Sequence, residues 1–267
     1  MFHENVLETA RFILAANLFR YFVVAGIAFV IFYWLLGKRI RHQKIQDKLP
    51  TLTDYRREIG YSILTILIFV VIGVLIFATP VIEYTRIYTD FAERGWGYWT
   101  FSIGAMIVLH DTYFYWTHRA MHHPKLFRAF HLTHHRSVNP SPWAAYAFSP
   151  LEGVVEALVI VPIVFLIPFH PSALGVWLVF MMVYNVYGHL GYELYPKGFH
   201  RHPIGRWLNT SVNHNLHHKH FDGNYGLYFL WWDRWMDTVR EDYDTSYAAT
   251  DAKRERTKRD TPPLAKT

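Results

Sequence analysis

Seventeen of the 267 residues are histidine, and eight of them fall in three short groups whose spacing can do chemistry. His118 and His122 stand four apart. His131, His134 and His135 form a His-x-x-His-His segment, and His214, His217 and His218 repeat that spacing further along the chain. On a helix, positions i, i+3 and i+4 share one face, so each segment is expected to present its imidazoles as one group. Neutral imidazole is the commonest protein metal ligand, and it suits iron, zinc, copper and nickel alike. Two such groups facing each other can hold more than one metal ion. These eight side chains are the candidate catalytic and metal-ligating set.

A single histidine at a membrane helix end is more simply read as a residue meeting lipid headgroups; eight at matched spacing are not. His189, in the segment Gly188-His189-Leu190-Gly191, reads equally as a ninth metal ligand or as a satisfied structural residue. His110 lies two turns before His118, off its face, and is expected to support the structure or the ligands. His123 falls on another face from His122. His200, His202 and His220 read as surface positions, and His3, His42 and His170 as outside the chemistry. Metal-bound histidine usually donates its second N–H to a carboxylate or carbonyl. Asp111, Asp222, Asp233 and Glu193 are the candidates for that role, with helix capping or surface ion pairing as the equal alternative.

The chain has no cysteine, which excludes disulfides, thiolate zinc sites, iron–sulfur clusters and thiol nucleophiles. Any metal must therefore be held by His, Asp or Glu. Dinucleotide, P-loop, nucleophile-elbow and HExxH signatures are all missing. The formal charge is +6, but the basic residues sit beside apolar runs, where they report membrane orientation rather than nucleic-acid binding.

The elements that must position the histidines are membrane helices. Tyr21 to Gly37 and Ile59 to Ile82 carry no charge and, with the turn preceding the first, approach the ~20 residues a bilayer requires. The N-terminus lacks a basic n-region and reads as a retained helix rather than a cleaved signal. The loop at 38–57 is rich in Lys and Arg, which places it in the cytoplasm; 83–94, with Glu83, Asp90 and Glu93, is expected outside. A third span starts near Trp96 and ends in the histidine stretch. Pro168 and Pro171 break the uncharged run between Glu156 and Glu193 into a hairpin, Leu151–Ile167 and Ser172–Leu190, that spans or re-enters. The expected fold is an all-α integral membrane protein, with four to five transmembrane or re-entrant helices and a cytoplasmic helical cap holding a histidine-rich dimetal site. Residues 1–95 form the membrane helices and basic loop, 96–245 the catalytic domain, and 246–267 a charged tail read as disordered. Asn224-Tyr225-Gly226 and Trp231-Trp232-Asp233-Arg234 are expected to fold the C-terminal lobe over the site.

The segments HRAMH (His118, His122), HLTHH (His131, His134, His135) and HNLHH (His214, His217, His218) resemble the three histidine boxes of the fatty acid hydroxylase/sterol desaturase superfamily. The resemblance runs from about His110 to Thr238. WWDRWMDT is similar to 4-methylsterol monooxygenases, and FDGNYGLYF to sterol C5-desaturases. The resemblance implies a membrane-bound non-haem di-iron oxidoreductase that uses O2 to hydroxylate or desaturate a sterol or fatty acyl lipid, with zinc able to occupy the purified protein. It also implies a cytochrome b5- or ferredoxin-type electron donor with its reductase, since the chain has no cofactor module of its own. The membrane would be the inner membrane in a bacterium or the endoplasmic reticulum in a eukaryote. A histidine-ligated zinc-dependent membrane hydrolase is the alternative; a metal transporter ranks last, because the ligands gather outside the bilayer.

Overall fold

The computed structural model describes residues 5–260, so His3 and residues 261–267 lie outside the described part. Among the described residues there is no β-strand, only three isolated bridges. Helix α1, Val6–Phe29, is started by the Asn5 side chain, which accepts from the amides of Leu7 and Glu8, and continues as a π-helical turn, Val30–Leu35. Helix α2, Leu52–Phe77, opens on a reciprocal capping box between Thr51 and Asp54, which satisfies two of the donors a helix start leaves open. Helix α3, Gly95–Met121, ends just before Pro124, which opens the short α4, Pro124–Phe130; α5 is a single turn, Leu132–His135. The hairpin follows as α6 (Pro150–Ala157), α7 (Ile160–Leu166) and α8 (Pro171–Gly188). Then come α9 (Ser211–His220), α10 (Trp231–Trp235) and α11 (Tyr243–Asp260).

Among the described residues, three helices are long and apolar enough to cross a bilayer: Val6–Leu35, Leu52–Phe77 and Pro171–Gly188. The first begins at Val6 rather than Tyr21, because Glu8, Arg11 and Arg20 are carried within the helix. The first hairpin arm is two short helices rather than one. Helix α3 matches the spans in length but buries a polar stripe, His110, Asp111 and His118, against the rest of the protein. An all-α membrane protein is what the fold shows.

Pairing at the two ends fixes the helix directions. At one end Ile87 bridges to Phe169, tying the 83–94 connection to the proline turn of the hairpin. At the other end Lys44 bridges to Tyr192, and Arg57 Nη2 donates to the Arg136 carbonyl. The loop between α1 and α2 and both histidine segments therefore share one end of the bundle.

Two sequence expectations are corrected here. The tail read as disordered is helical through Asp260. Tyr243 and Tyr247, one turn apart, bury on Val212, Leu216 and Leu230. Asp251 accepts from the Gly198 amide at 3.0 Å, and Lys253 pairs with Asp47 at 2.8 Å. Composition registers the charges of this segment but not the i, i+4 tyrosine pair that docks it. For the same reason His200 is not on the surface: it is 4% exposed, its ring 4.1 Å from that of Tyr247.

Candidate metal centre

His118 and His122 close helix α3, and His131 precedes and His135 ends the single turn α5; with His217 of α9 they form one group of five. His134, His189, His214 and His218 form a second group of four. Within each group the ligand nitrogens lie within 4.8 Å of one another. The expectation that each His-x-x-His-His segment serves as one group is overturned. In both segments the i and i+4 residues stay together, while the i+3 residue crosses to the other group. At 100° per residue, i and i+4 differ by only about 40° around the helix, whereas i+3 and i+4 differ by about 100°. One helical turn can thus feed two neighbouring centres.

Backbone carbonyls hold the outer ring nitrogens of four of these histidines, while Nδ1 of His134, His135, His214 and His218 is buried without a hydrogen-bond partner. His118 Nδ1 meets the Tyr225 carbonyl at 2.8 Å, His122 Nδ1 that of Phe221 at 2.8 Å, and His217 Nδ1 that of Gly223 at 2.7 Å. His189 Nδ1 meets the Asn185 carbonyl at 2.8 Å. A carbonyl can only accept, so each of these Nδ1 atoms carries the proton and each Nε2 presents a lone pair. The Nε2 atoms then converge: His118 and His131 at 2.9 Å, His135 to His122 and His217 at 3.1 and 3.0 Å, and His189 to His134, His214 and His218 at 3.2, 3.1 and 3.1 Å. Imidazole nitrogens sit about 2.0–2.1 Å from zinc, and two such ligands at right angles about one ion stand roughly 3 Å apart. The donor set fits two metal ions.

Burial keeps the ligands neutral. Desolvation holds His131, His134, His135, His214, His217 and His218 well below the ordinary value of 6.5, and neighbouring imidazoles add to the effect. A group whose folded value is depressed favours folding above its unfolded value and loses that contribution as pH falls past it. Protons also compete directly for the Nε2 lone pairs. Bound metal and melting temperature are therefore expected to be flat above pH about 6.5 and to fall together below it. Metal analysis after dialysis across pH 5–8, alongside thermal unfolding, checks this; metal retained unchanged at pH 5 would contradict it.

Comparison with known proteins gives the same region. The profile of the family described as fatty acid hydroxylase matches residues 103–238, just over half the chain. The chain belongs to the fatty acid hydroxylase family. Its curated relatives include a Delta(7)-sterol 5(6)-desaturase of Gibberella zeae, 28% identical over 87% of this chain and 69% of the relative. A Delta(7)-sterol 5(6)-desaturase of Leptosphaeria maculans is 32% identical over 63% of this chain and 45% of its own length. The lathosterol oxidase of Rattus norvegicus is 27% identical over 86% and 75%. No solved structure matches. The family match spans all three histidine segments, His189 and the loops that hold them.

His189 lies in the second group, at the C-cap of α8. His110 belongs to neither group; its Nδ1 is 2.8 Å from the Tyr228 hydroxyl. His123 caps α4, accepting from the Lys125 amide, and His202 and His220 lie near the surface. The four acids proposed as histidine partners do not contact the ligands. Asp111 accepts from the amides of Tyr228 and Phe229, Glu193 from that of Val212 at the start of α9, and Asp222 pairs with Arg240. Asp233 accepts from the amides of Tyr225 and Gly226 and from the Thr238 hydroxyl; burial pushes its carboxyl up to about 6 against those three donors. Asp111 and Asp233 shape the 221–230 loop, whose carbonyls do the orienting. Of the two segments expected to close over the site, 224–226 meets it through the Tyr225 carbonyl on His118, whereas 231–234 acts through Asp233, which holds the amides of Tyr225 and Gly226.

The carboxylate that does touch a ligand is Glu152, whose Oε1 lies 2.6 Å from His131 Nδ1 with both side chains buried. Sequence reasoning missed it. The available signal was Ser149-Pro150-Leu151-Glu152, a helix-start signature placing an acid in the first turn after the histidine stretch. Ser149 Oγ both receives the Glu152 amide and donates to the Phe130 carbonyl at 2.6 Å, which sets the first turn of α6 beside His131.

Proposed function

We propose that this chain is a membrane-bound oxidoreductase that uses O2 and two histidine-held iron ions to desaturate or hydroxylate a sterol-type lipid. The observation that carries this reading is an apolar cavity of about 330 Å³ whose wall includes two rings packed on the candidate ligands, within the usual range of about 300–1,000 Å³ for small-molecule sites. Phe114 and Phe148 both line it, with ring centroids 4.9 Å from His118 and 5.2 Å from His134, one histidine from each group. Phe12, on the exposed apolar surface of α1, lines it as well and is 64% exposed. A lipid can thus enter from the hydrocarbon layer and reach both centres. The relatives act, by their names, on Delta(7)-sterols and lathosterol, which favours a sterol over a fatty acyl chain.

His118, His122, His131, His135 and His217 would hold one ion, and His134, His189, His214 and His218 the other. Bound iron would supply the activation of O2 for attack on an unactivated C–H bond. The chain's own part is positional. Backbone carbonyls and Glu152 keep the tautomers of His118, His122, His131, His189 and His217 fixed, and the aromatic wall holds the substrate carbon against the centres while excluding water. Electrons would come from a cytochrome b5- or ferredoxin-type donor with its reductase, docking at the polar end of the bundle. His122, the ligand that is not fully buried, lies nearest that approach. The basic loop 38–57 shares this end, which supports a cytoplasmic orientation.

Purified protein loaded with iron and supplied with electrons is expected to hold about two metals per chain and to convert a Delta(7)-sterol only when O2 is present. Turnover under anaerobic conditions with zinc would instead support a hydrolase. The cavity gives a second check. A side chain at Gly175 on α8, which lines it, meets nothing within 4 Å at its Cβ. Gly175→Phe is expected to fill the cavity, cutting lipid turnover by about tenfold or more, with metal content unchanged. Loss of metal in that variant would mean the cavity and the centre are not separable.

A further inference from the structure

Among the groups lining the cavity, Glu156 stands apart. It is 9% exposed, it lies one helical turn beyond Glu152 on α6, and its Oε1 is buried without a hydrogen-bond partner. His110 is engaged with the Tyr228 hydroxyl, Asn17 with Arg20, and Asn185 with the Ala145 carbonyl. Trp177 Nε1 and Arg20 Nε are also unpaired, but both can only donate, which leaves Glu156 Oε1 as the unpaired acceptor among these groups. A polar atom left unpaired in an apolar site costs about 1–3 kcal/mol unless something completes it.

We propose that Glu156 is the specificity-determining residue for a hydroxyl group on the substrate, so that the cavity takes a lipid alcohol with its hydroxyl end inward, beside the metal centres. This rests on the oxidoreductase reading and adds the chemistry that selects the substrate. A carboxyl group accepts a hydrogen bond from an alcohol O–H in either protonation state, and its terminal torsion is broad and two-fold, so rotation presents either oxygen. One turn of α6 puts Glu156 about 6 Å along the axis from Glu152, the carboxylate that holds His131. The oxidised carbon then lies near the hydroxyl rather than at the far end of the hydrocarbon. A rival role is charge compensation for the metals, which the same experiment separates.

The test compares a Delta(7)-sterol, its 3-deoxy analogue and its 3-methyl ether, with wild type, Glu156→Gln and Glu156→Leu, all metal-loaded. Binding is read by quenching of tryptophan fluorescence, since Trp177 lines the cavity, and turnover by mass spectrometry. Wild type is expected to favour the alcohol over both analogues by about tenfold or more in Kd and in kcat/KM. Glu156→Leu is expected to erase that preference at unchanged metal content, and Glu156→Gln to keep part of it. Equal binding of all three by wild type overturns the proposal, as does undiminished preference in Glu156→Leu. Metal lost from both Glu156→Leu and Glu156→Gln assigns the residue to the centre and overturns it too. Selective binding of the alcohol without turnover leaves this inference standing and removes the oxidation reading.

Discussion

His135→Ala and His214→Ala are each expected to lower lipid oxidation by at least about 100-fold, and each to release about one metal per chain. The scale follows because removing outer partners of ligands alone costs about 10–100-fold in affinity or activity. His135 Nε2 lies between those of His122 and His217 in the first group, and His214 Nε2 is 3.1 Å from that of His189 in the second. The two variants therefore empty different centres while activity requires both. Metal analysis of each variant, beside the double replacement, checks the division. If either single variant kept two metals, or if His135→Ala emptied both centres at once, the assignment of residues to two groups would be wrong. Rates alone are insufficient, because groups that act as a unit are not additive.

Glu152→Ala is expected to produce the next largest loss, about 10–100-fold in metal affinity at the first group. His131 would keep its place but lose the acceptor that fixes its Nδ1 proton, and a buried donor would be left unpaired. Glu152→Gln separates two contributions, since the amide oxygen still accepts from Nδ1 while the negative charge beside the metal is gone. A Gln variant that holds metal nearly as well as wild type, beside an Ala variant that does not, assigns the role to orientation. Equal losses assign it to charge. Competition with a chromophoric chelator measures both. An Ala variant with unaltered affinity would show that the short contact between Glu152 and His131 does nothing for the metal.

The charge-free runs from Tyr21 and Ile59, the Pro168–Pro171 break and the three histidine segments were legible because each is a local pattern. A bilayer demands length and apolarity, a helix interior rejects proline, and imidazole spacing announces ligands. The convergence of His118, His131 and His217 from separate elements was a fair inference from their sharing one end of the bundle. How they divide was not legible: His134 and His217 leave their own segments because the two centres sit on either side of a turn whose orientation packing sets. Glu152, and the carbonyls of Phe221, Gly223 and Tyr225, orient ligands across separations of 6 to 107 residues, which no single spacing rule encodes. Of the four acids that did look suitable, Asp111 and Asp233 are absorbed by backbone amides of the 221–230 loop, Glu193 by the start of α9 and Asp222 by Arg240, demands visible only once the chain has its shape. The docked helix after Tyr243 escaped for a related reason, since composition weighs charges while two tyrosines decide burial. Local chemistry was therefore written in the order of residues, and the assignment of each nitrogen to a centre came from how the helices pack.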